Sequence, residues 1–415
     1  MSLTFHFSQT VKNIDLNKLD AFKKIIENPT TQFFHSFERV ELVNTSKEIY
    51  KKYSSKKTFV HVGIGGSSLG PEMLVTALKK NNCQFIFVNN IDADEIYDQL
   101  QLVDYKNSLF YFVSKSGGTA ETMAALAIIS QFLFDKGVKE NELKNYFVFA
   151  TDSKKSELLD LGRKLSIDLL EVPSDVGGRF SALTPVGYLP ALFAGIDVDL
   201  LLTGAKDAQK LCLQNDETNK LLQATHYLYE LKKEQHISQT VFMPYSSKLK
   251  AFSFWFTQLW AESLGKRLDK NGKEVHEGFT PIVAYGATDQ HSQVQLFMEG
   301  PKDKAFIMIE VANSAHDFSL KNNFESPNLK KLAPYSLSQL MKAELHGTLK
   351  ALEKNSRPYI HLVIDRNDEY HVGAMILFFE SLTALMGEFL NVDPFDQPGV
   401  EAGKIYAFEF LNQLK

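Results

Sequence analysis

The chain has 415 residues, which is more than one hydrophobic core usually serves, so its length favours two domains. Hydrophobic residues make up 44% of the sequence and charged residues 23%, a balance that excludes the disordered and fibrous classes. The formal net charge of -5 gives no electrostatic argument for nucleic acid or an anionic membrane as a partner, so an anionic ligand would need a local site.

The N-terminus has neither a basic start nor an apolar core followed by small residues, so no secretory signal is expected. The longest apolar stretches, such as Val372 to Phe379, are far shorter than the roughly 20 residues that a membrane-spanning helix needs. Cys83 and Cys212 lie far apart without a CxxC pair, which argues against a disulfide framework or a zinc cluster. We therefore expect a soluble, cytoplasmic protein.

The first half of the chain alternates apolar runs with helical patterns after a polar arm at residues 1–45. TFVHVGIGGSSLGPEMLVTAL, from Thr58, predicts a strand, a glycine loop and a helix, and LFYFVSKSGGTAETMAALAIISQFLF predicts the same order of elements. QFIFVNN, YFVFATD and LLEVPSD predict further strands. Fully apolar strands separated by helices are typical of a parallel sheet that is covered on both faces.

The second half repeats this plan after a helical stretch from about Leu200 to Lys233. TVFMPYS, AFIMIEV and YIHLVID predict strands, and Lys248 to Leu268 and Ser336 to Glu353 predict helices. We predict an α/β protein of two αβα sandwiches with mostly parallel sheets. The first domain spans residues 1–200 with the arm, and the second spans residues 201–415.

The loop from Gly63 to Gly70 joins a predicted strand to a predicted helix. Its backbone N–H groups and the positive end of the helix suit a phosphate, which makes Gly66 and Ser67 candidate contacts. The third glycine of a dinucleotide fingerprint is Ser68 here, and no acidic residue ends the next strand, so a nicotinamide oxidoreductase is disfavoured. A tight turn that binds nothing remains an alternative.

A second loop in the same position carries three hydroxyls, an ammonium and two glycines at the start of a helix. Hydroxyls and amides can donate to phosphate oxygens, the lysine adds charge, and glycines permit close approach. An ordinary helix cap is the alternative, although three hydroxyls exceed what capping needs. The candidate phosphate ligands are Ser114, Lys115, Ser116 and Thr119.

Four segments together resemble the glucose-6-phosphate isomerase family in its own chain order: VGIGGSSLGP, SKSGGTAET, GGRFSALTPVG and FDQPGVEAGK. The resemblance extends from about Thr58 to the C-terminus and implies two sugar-isomerase (SIS-type) αβα domains. It also implies a homodimer with active sites at the interface, and interconversion of glucose 6-phosphate and fructose 6-phosphate in glycolysis and gluconeogenesis. No cluster at metal-ligand spacing is visible in the sequence, so neither a metal nor another cofactor is expected.

Some positions depart from the family pattern. Gly117 and Gly118 replace the aromatic and threonine residues of the commoner phosphate loop, and Pro398 replaces the usual tryptophan of the last motif. The segment around His291, ATDQHSQVQLFMEG, resembles the bacterial branch of the family. These departures affect fine substrate positioning and leave the reaction class unchanged.

The resemblance assigns roles to a carboxylate and an amide on one predicted helix. Gln258 and Glu262 are four residues apart and therefore share a helix face. The family pattern makes Glu262 the proton shuttle between C1 and C2, and Gln258 a contact to the bound sugar. The alternative for Glu262 is an exposed carboxylate at the helix end near Lys266.

Arg179 follows two glycines, which allow its backbone and guanidinium to approach a ligand closely. Arginine can hold the negative charge that develops on an enediolate oxygen, and the resemblance gives Arg179 that role, with Gly178 as a substrate contact. A structural ion pair is the alternative for an arginine chosen at random.

Ring opening needs a group that moves a hydroxyl proton near neutral pH, for which histidine is suited. The family pattern selects His291 and places Lys404 beside it, while Gln397 contacts the phosphate. Gln397 and Lys404 are seven residues apart, so a helix begun near Pro398 is predicted to point both side chains the same way.

Two alternatives stay open beside this isomerase. A non-catalytic phosphosugar-binding module built on the same domain explains the loops but not Glu262, Arg179 and Lys404 at their family positions. An isomerase of another phosphosugar, such as an amino sugar or mannose phosphate, explains all of them.

Overall fold

The computed structural model describes residues 3–12 and 14–414. In these ranges the chain forms two five-stranded sheets and one two-stranded sheet. The strands are β1 (Leu3–Phe7), β2 (Thr58–Val62), β3 (Gln84–Val88), β4 (Ser108–Val113), β5 (Phe147–Thr151), β6 (Asp168–Glu171), β7 (Gln239–Pro244), β8 (Lys266–Leu268), β9 (Glu274–Glu277), β10 (Thr280–Val283), β11 (Lys304–Val311) and β12 (Tyr359–Ile364).

Helices account for most of the remaining chain. The α-helices are α1 (Asn17–Ile26), α2 (Val40–Tyr53), α3 (Leu69–Leu78), α4 (Ala93–Gln101), α5 (Ala120–Asp135), α6 (Glu157–Leu165), α7 (Pro185–Phe193), α8 (Val198–Cys212), α9 (Lys220–Gln235), α10 (Lys250–Leu264), α11 (Val294–Glu299), α12 (Pro327–Leu332), α13 (Leu337–Lys354), α14 (Glu369–Leu390) and α15 (Glu401–Gln413). Short 3-10 turns that matter for the site are Gly65–Ser67, Gly178–Phe180, Thr288–His291 and Pro398–Val400.

The first sheet has the strand order β3-β2-β4-β5-β6, and all of its strands are parallel. Every residue of β2, β4 and β5 is buried, because helices cover both faces of the sheet. The strands predicted in the first half of the chain are therefore confirmed. Their carboxyl ends lead into the two loops that were predicted to bind phosphate.

The second sheet has the order β1-β12-β11-β7-β10 and is parallel except for β1. Strand β1 pairs antiparallel with β12, with Leu3 opposite Ile364, and Leu3 and Phe5 are buried. The arm that was predicted to be polar thus contributes a strand to the sheet of the C-terminal half. A five-residue strand with alternating burial is too short to be separated from a polar arm by composition.

Two predicted helical stretches differ from the observed helices. The stretch from Leu200 to Lys233 divides into α8 and α9, because Asn219 starts a new helix by accepting a hydrogen bond from the Leu222 amide at 2.9 Å. Helix α10 ends before the extended Gly265, and the following residues form β8, which pairs with β9.

Helix α14 lies at the centre of the molecule and packs against α1, α8, α9 and α10. Among the described residues it is the one helix long and apolar enough to cross a membrane by length and composition, yet 94% of its most apolar window is buried inside the fold. The sequence pattern ended the apolar stretch at Phe379, because Glu380 follows it, whereas the helix continues past Glu380 with mostly apolar residues. Glu380 is fully buried, and burial raises its pKa well above the usual value.

Helices α8 and α14 cross at two glycines. A Cβ atom on Gly204 would overlap the carbonyl oxygen of Tyr370, and one on Gly373 would overlap the carbonyl oxygen of Leu201. The helix backbones can approach this closely only because neither position carries a side chain.

We predict that Gly373→Ala lowers the free energy of unfolding by about 3 kcal/mol, because the added methyl group forces the two helices apart. Gly347→Ala in α13 is the control, since a Cβ atom there would meet nothing within 4 Å beyond its chain neighbours and the backbone of its own helix. It should leave stability unchanged or raise it by up to about 1 kcal/mol. Urea unfolding of both variants measures the difference, and equal stabilities would contradict the steric role of this crossing.

Candidate active site

The glycine loop after β2 packs directly against the segment that contains Arg179. A Cβ atom on Gly66 would overlap the carbonyl carbon of Gly178 and lie 2.6 Å from the backbone nitrogen of Arg179. The neighbouring Gly65 has a φ of +57°, and a Cβ atom on it would lie 3.0 Å from Nε2 of Gln258. The structure therefore brings together Gly66, Gly178 and Gln258, three residues that the sequence selected separately.

The three hydroxyls of the second loop form one cluster at the carboxyl end of β4. The Ser114 hydroxyl lies 2.8 Å from that of Thr119 and 3.5 Å from that of Ser116. The amides of Gly117 and Gly118 donate to the hydroxyl oxygens of Ser114 and Ser116 at 3.1 and 3.4 Å. Hydroxyls and amides thus converge in one small volume, which is what an anion with several oxygens requires.

Lys115 does not lie among these hydroxyls. Its ammonium donates to the main-chain carbonyls of Ser174 and Val176, both at 2.8 Å. Burial lowers the pKa of Lys115, while Asp152 and Asp175 oppose that shift. The ammonium therefore ties the hydroxyl loop to the segment that leads into Gly177, so its predicted grouping with the hydroxyls is not observed.

Arg179 is buried, and most of its N–H donors form hydrogen bonds within the protein. Nε donates to the Ser263 hydroxyl at 2.6 Å, and Nη1 donates to Oε1 of Gln397 at 2.9 Å. Nη2 donates to the main-chain carbonyls of Pro394 and Asp396 at 2.6 and 3.1 Å. A guanidinium has five N–H donors, so one N–H on Nη1 remains without a hydrogen-bond partner among the described residues.

Glu262 lies on the side of Arg179 where this donor remains. Its Oε2 is 3.7 Å from Nη1, close enough for an ion pair and too far for a hydrogen bond, and 21% of its side chain is exposed. Burial lowers the pKa of Arg179, and the nearby carboxylates, led by Glu262, raise it. The alternative of a freely exposed carboxylate at the helix end is therefore wrong.

Gln258 lies one helical turn before Glu262, as the spacing predicted. Its Oε1 is buried and has no hydrogen-bond partner among the described residues, whereas Nε2 lies beside Gly65. An unpaired buried amide oxygen costs about 1–3 kcal/mol unless a ligand or water donates to it. Gln258 thus presents an acceptor next to the glycine loop.

Three further residues of this cluster were not predicted, namely Ser263, Lys266 and Asp396. The signal for Lys266 was its spacing of four from Glu262, which suggests a side-chain pair. Instead, its ammonium donates to the main-chain carbonyl of Glu262 at 2.9 Å and to that of Asp396 at 2.9 Å. Partners of this kind are main-chain atoms and leave no trace in the residue types.

The prediction that Gln397 and Lys404 point the same way is wrong. Gln397 precedes the 3-10 turn Pro398–Val400 and has a non-helical backbone with φ -155° and ψ 59°, so it does not share the phase of helix α15. Its side chain turns back to Arg179, while the Lys404 ammonium donates to Glu401 at 2.8 Å on the exposed helix. Gln397 belongs to the cluster and Lys404 does not reach it within this chain.

His291 also lies outside the cluster. It ends the 3-10 turn Thr288–His291, its side chain is exposed, and none of residues 3–12 and 14–414 hydrogen-bonds to its ring. Its neighbours are anchored: Asp289 accepts from the Tyr285 amide at 2.8 Å, and Gln290 donates to the Thr348 hydroxyl at 2.7 Å. The ring is therefore presented to solvent from a fixed turn.

His61 is another residue of the site that was not predicted. It lies in β2, is fully buried, and its Nε2 lies 2.7 Å from the carbonyl oxygen of Ser67. Burial lowers the pKa of His61 to about 4, although the hydrogen bond to Ser67 acts in the opposite direction. The neutral ring thus donates to the glycine loop and fixes the position of Ser67.

Taken together, the site combines an anion cradle with a proton-transfer pair. Hydroxyls and amides of the loop 114–119 suit a phosphate, and the carboxylate of Glu262 beside Arg179 suits removal of a proton next to a developing oxyanion. The residues described by the structure contain no group of three or more His, Cys, Asp or Glu side chains that could hold a metal ion.

Comparison with known proteins gives consistent matches. A sequence model of the family described as phosphoglucose isomerase matches residues 40–415. A glucose-6-phosphate isomerase of Carboxydothermus hydrogenoformans is 37% identical over 398 residues, which cover 92% of this chain and 85% of that protein. A hypothetical protein from Thermus thermophilus has a crystal structure similar to this one, with a TM-score of 0.89, 34% identity, and 95% and 94% of the two chains covered.

A further solved structure extends the likeness of the fold. The glucose-6-phosphate isomerase from Chlamydia trachomatis has a TM-score of 0.85 at 22% identity, with all of this chain (100%) and 89% of that chain covered. The predicted fold class of two SIS-type αβα domains with mostly parallel sheets is thereby confirmed.

We predict that His61 makes stability fall with acid. Its folded-state pKa of about 4 lies below the unfolded value of about 6.5, so the unfolded state binds the extra proton first. The contribution of neutral His61 to the free energy of unfolding is complete above pH 6.5 and is lost as the pH falls toward 4. The loss between pH 7 and pH 5 is about 2 kcal/mol. Urea unfolding at both pH values should show a smaller loss in His61→Asn than in the unmodified protein. Equal losses would show that His61 titrates normally.

Proposed function

The chain belongs to the phosphoglucose isomerase family, and from this premise we propose which of its residues interconvert glucose 6-phosphate and fructose 6-phosphate. The activity is that of an aldose-ketose isomerase. One observation carries the proposal: the hydroxyl loop and the Glu262–Arg179 pair belong to one connected cluster. Lys115 joins the hydroxyl loop to the segment before Arg179, and Gly66 joins that segment to the glycine loop.

We assign the phosphate group to the hydroxyl cluster. Ser114, Ser116 and Thr119 replace their mutual hydrogen bonds by bonds to phosphate oxygens, and Ser67 donates from the neighbouring loop. Lys115 supplies positive charge while it holds the two segments together. Binding energy from the phosphate, which does not react, then positions the sugar carbons at the carboxylate.

Proton transfer is assigned to Glu262. In the open-chain aldose, the carboxylate removes the proton from C2, and the electron pair of that bond forms the double bond of a cis-enediolate with negative charge on O1. The free N–H on Nη1 of Arg179 donates to this oxygen region, while the buried Gln258 acceptor receives a sugar hydroxyl. Return of the same proton to C1, together with transfer of the O2 hydroxyl proton to O1, gives the ketose, so no external oxidant or reductant enters.

The two domains then supply different parts of the site. Residues 1–200 supply the loop contacts to the phosphate, Gly66, Gly178 and Arg179, and residues 201–415 supply the remaining groups. Gln397, held by Arg179 at 2.9 Å, is assigned to the phosphate side of the sugar. No cofactor is assigned to the reaction.

Ring opening is assigned to His291 and Lys404, with His291 supplied by a second copy of the chain. His291 is presented to solvent from an anchored turn, which suits a role in a neighbouring subunit. Every residue of helix α15, which carries Lys404, is exposed. The apolar side chains of this helix form a surface of the kind that is buried in protein interfaces. The exposed apolar residues of α15 are Ile405, Tyr406, Phe408, Phe410 and Leu411. We therefore propose a homodimer with active sites at the interface.

We place the protein in the cytoplasm and its reaction in glycolysis and gluconeogenesis, where glucose 6-phosphate and fructose 6-phosphate are interconverted. Both cysteines are free, and burial raises the pKa of Cys83 to about 11 and that of Cys212 to about 12, so neither thiol is readily ionised.

We predict that Glu262→Gln lowers kcat about 10³-fold and changes KM little, because the amide keeps the shape of the side chain but cannot accept the C2 proton. The assay follows glucose 6-phosphate formation from fructose 6-phosphate in the presence of a chelator. Glu274→Gln is the control, since this carboxylate is 60% exposed on β9. It should turn over like the unmodified protein, and wild-type turnover in Glu262→Gln would remove Glu262 from the mechanism.

A hybrid-dimer experiment tests the shared site. We predict that Glu262→Gln and His291→Asn are each inactive, and that an equimolar mixture refolded together recovers about a quarter of wild-type activity. Half of the dimers are then mixed, and in each of them one site has both groups intact.

The control mixture combines Glu262→Gln with Arg179→Lys. These two residues lie 3.7 Å apart in one chain, so no mixed dimer can contain a complete site and activity should not return. Recovery in the control, or its absence in the first mixture, would contradict the assignment of His291 to the partner subunit.

A further inference from the structure

Two buried cations donate to the same main-chain oxygen. The carbonyl of Asp396 accepts from Nη2 of Arg179 at 3.1 Å and from Nζ of Lys266 at 2.9 Å. The Lys266 side chain is 5% exposed, and its ammonium also lies 3.3 Å from the Asp396 carboxylate. The residue directly after Asp396 is Gln397, which Arg179 holds at 2.9 Å.

The third partner of Lys266 is the helix that carries Glu262. The ammonium donates to the main-chain carbonyl of Glu262 at 2.9 Å, in the last turn of α10, where carbonyls lack partners within the helix. Lys266 thus connects the end of the helix that bears the proton shuttle to the segment that bears Gln397. Neither connection involves the carboxylate of Glu262.

This arrangement is electrostatically costly. Burial lowers the pKa of Lys266, the neighbouring Arg179 lowers it further, and Asp396 raises it. A buried ammonium is tolerated only when its donors are satisfied, and removing it would leave the partly buried carbonyls of Glu262 and Asp396 with fewer donors. Stability alone would be served as well by an apolar residue with a differently folded segment.

We propose that Lys266 is a positioning residue of the isomerase, which sets the distance between Glu262 and the Pro394–Gln397 segment and thereby the orientation of the Arg179 guanidinium. The proposal rests on the proposed function. Three of the four acceptors of Arg179 belong to that segment, namely Pro394, Asp396 and Gln397. A shift of the segment therefore moves the guanidinium against Glu262.

Loss of the Lys266 ammonium is expected to affect kcat more than substrate binding. The hydrogen-bond and ion-pair partners of Lys266 among the described residues lie outside the hydroxyl loop 114–119, so loss of its ammonium leaves the phosphate contacts of that loop in place. Misplacement of the catalytic pair by a fraction of an ångström acts on kcat instead, and misplacement by about 1 Å can cost about 100-fold.

The test compares three variants in the fructose 6-phosphate assay. Lys266→Met removes the ammonium and should lower kcat about 30-fold, with KM within about threefold of the unmodified value. Asp396→Ala removes only the carboxylate, whose side chain is 53% exposed, and should lower kcat about threefold to tenfold in a folded protein. Arg267→Met is the control on β8, since its side chain is 62% exposed, and it should be fully active.

A double-mutant cycle with Gln397→Ala separates positioning from general loss of structure. If Lys266 acts through the segment, the double variant Lys266→Met/Gln397→Ala should be little worse than the more damaged single variant. Arg267→Met combined with Gln397→Ala should show multiplied effects. Multiplied effects for the Lys266 pair, or unchanged kcat in both Lys266→Met and Asp396→Ala, would overturn the proposal. Failure of the proposed function is a different result, because the unmodified protein would then be inactive.

Discussion

The buried guanidinium of Arg179 is the interaction on which the rest of the site depends. An uncompensated charge in this position would cost several kcal/mol, so its donors must be satisfied by acceptors at fixed positions. Those acceptors come from α10 and from the segment before α15, whereas Arg179 itself follows the first sheet. The requirement to satisfy one cation therefore fixes the relative positions of elements far apart in the chain. Glu262 is positioned as a consequence, at 3.7 Å from the donor that remains.

Other cationic side chains of the fold also donate to main-chain carbonyls. Lys115 holds two carbonyls of the segment before Gly177, Lys266 holds those of Glu262 and Asp396, and Arg357 donates to three carbonyls at residues 298–301. Main-chain carbonyls at turns and helix ends lack internal partners, and a long cationic side chain can satisfy several of them at once. Rigid loops around the site are thus obtained without additional secondary structure.

How much of this could be predicted from the sequence depends on whether the signal is local. The five strands of the first sheet, strands β7, β11 and β12 of the second, and the two loops were predictable, because apolar runs, glycines and hydroxyls act within a few residues, whereas β10 was not predicted. Strand β1 was not, since its partner is β12 near the other end of the chain. The contacts of Lys266 escaped because main-chain acceptors have no residue signature, and the shared face of Gln397 and Lys404 was wrong because the helix begins after Gln397.

Some proposed catalytic residues lie together in one chain and others lie apart from them, and this division follows the chemistry of the proposed reaction. Glu262 would move a carbon-bound proton against a developing charge, so its geometry to Arg179 must be held within a fraction of an ångström, and one chain provides this with buried contacts. Ring opening moves a hydroxyl proton, which a more exposed histidine can accomplish from a separate surface. His291 on its anchored turn and Lys404 on the uncovered helix α15 fit that looser requirement. Assembly of two chains would then complete the site. Proton transfer at carbon would use groups that are rigidly held within one chain, and proton transfer at oxygen would use groups that are less constrained.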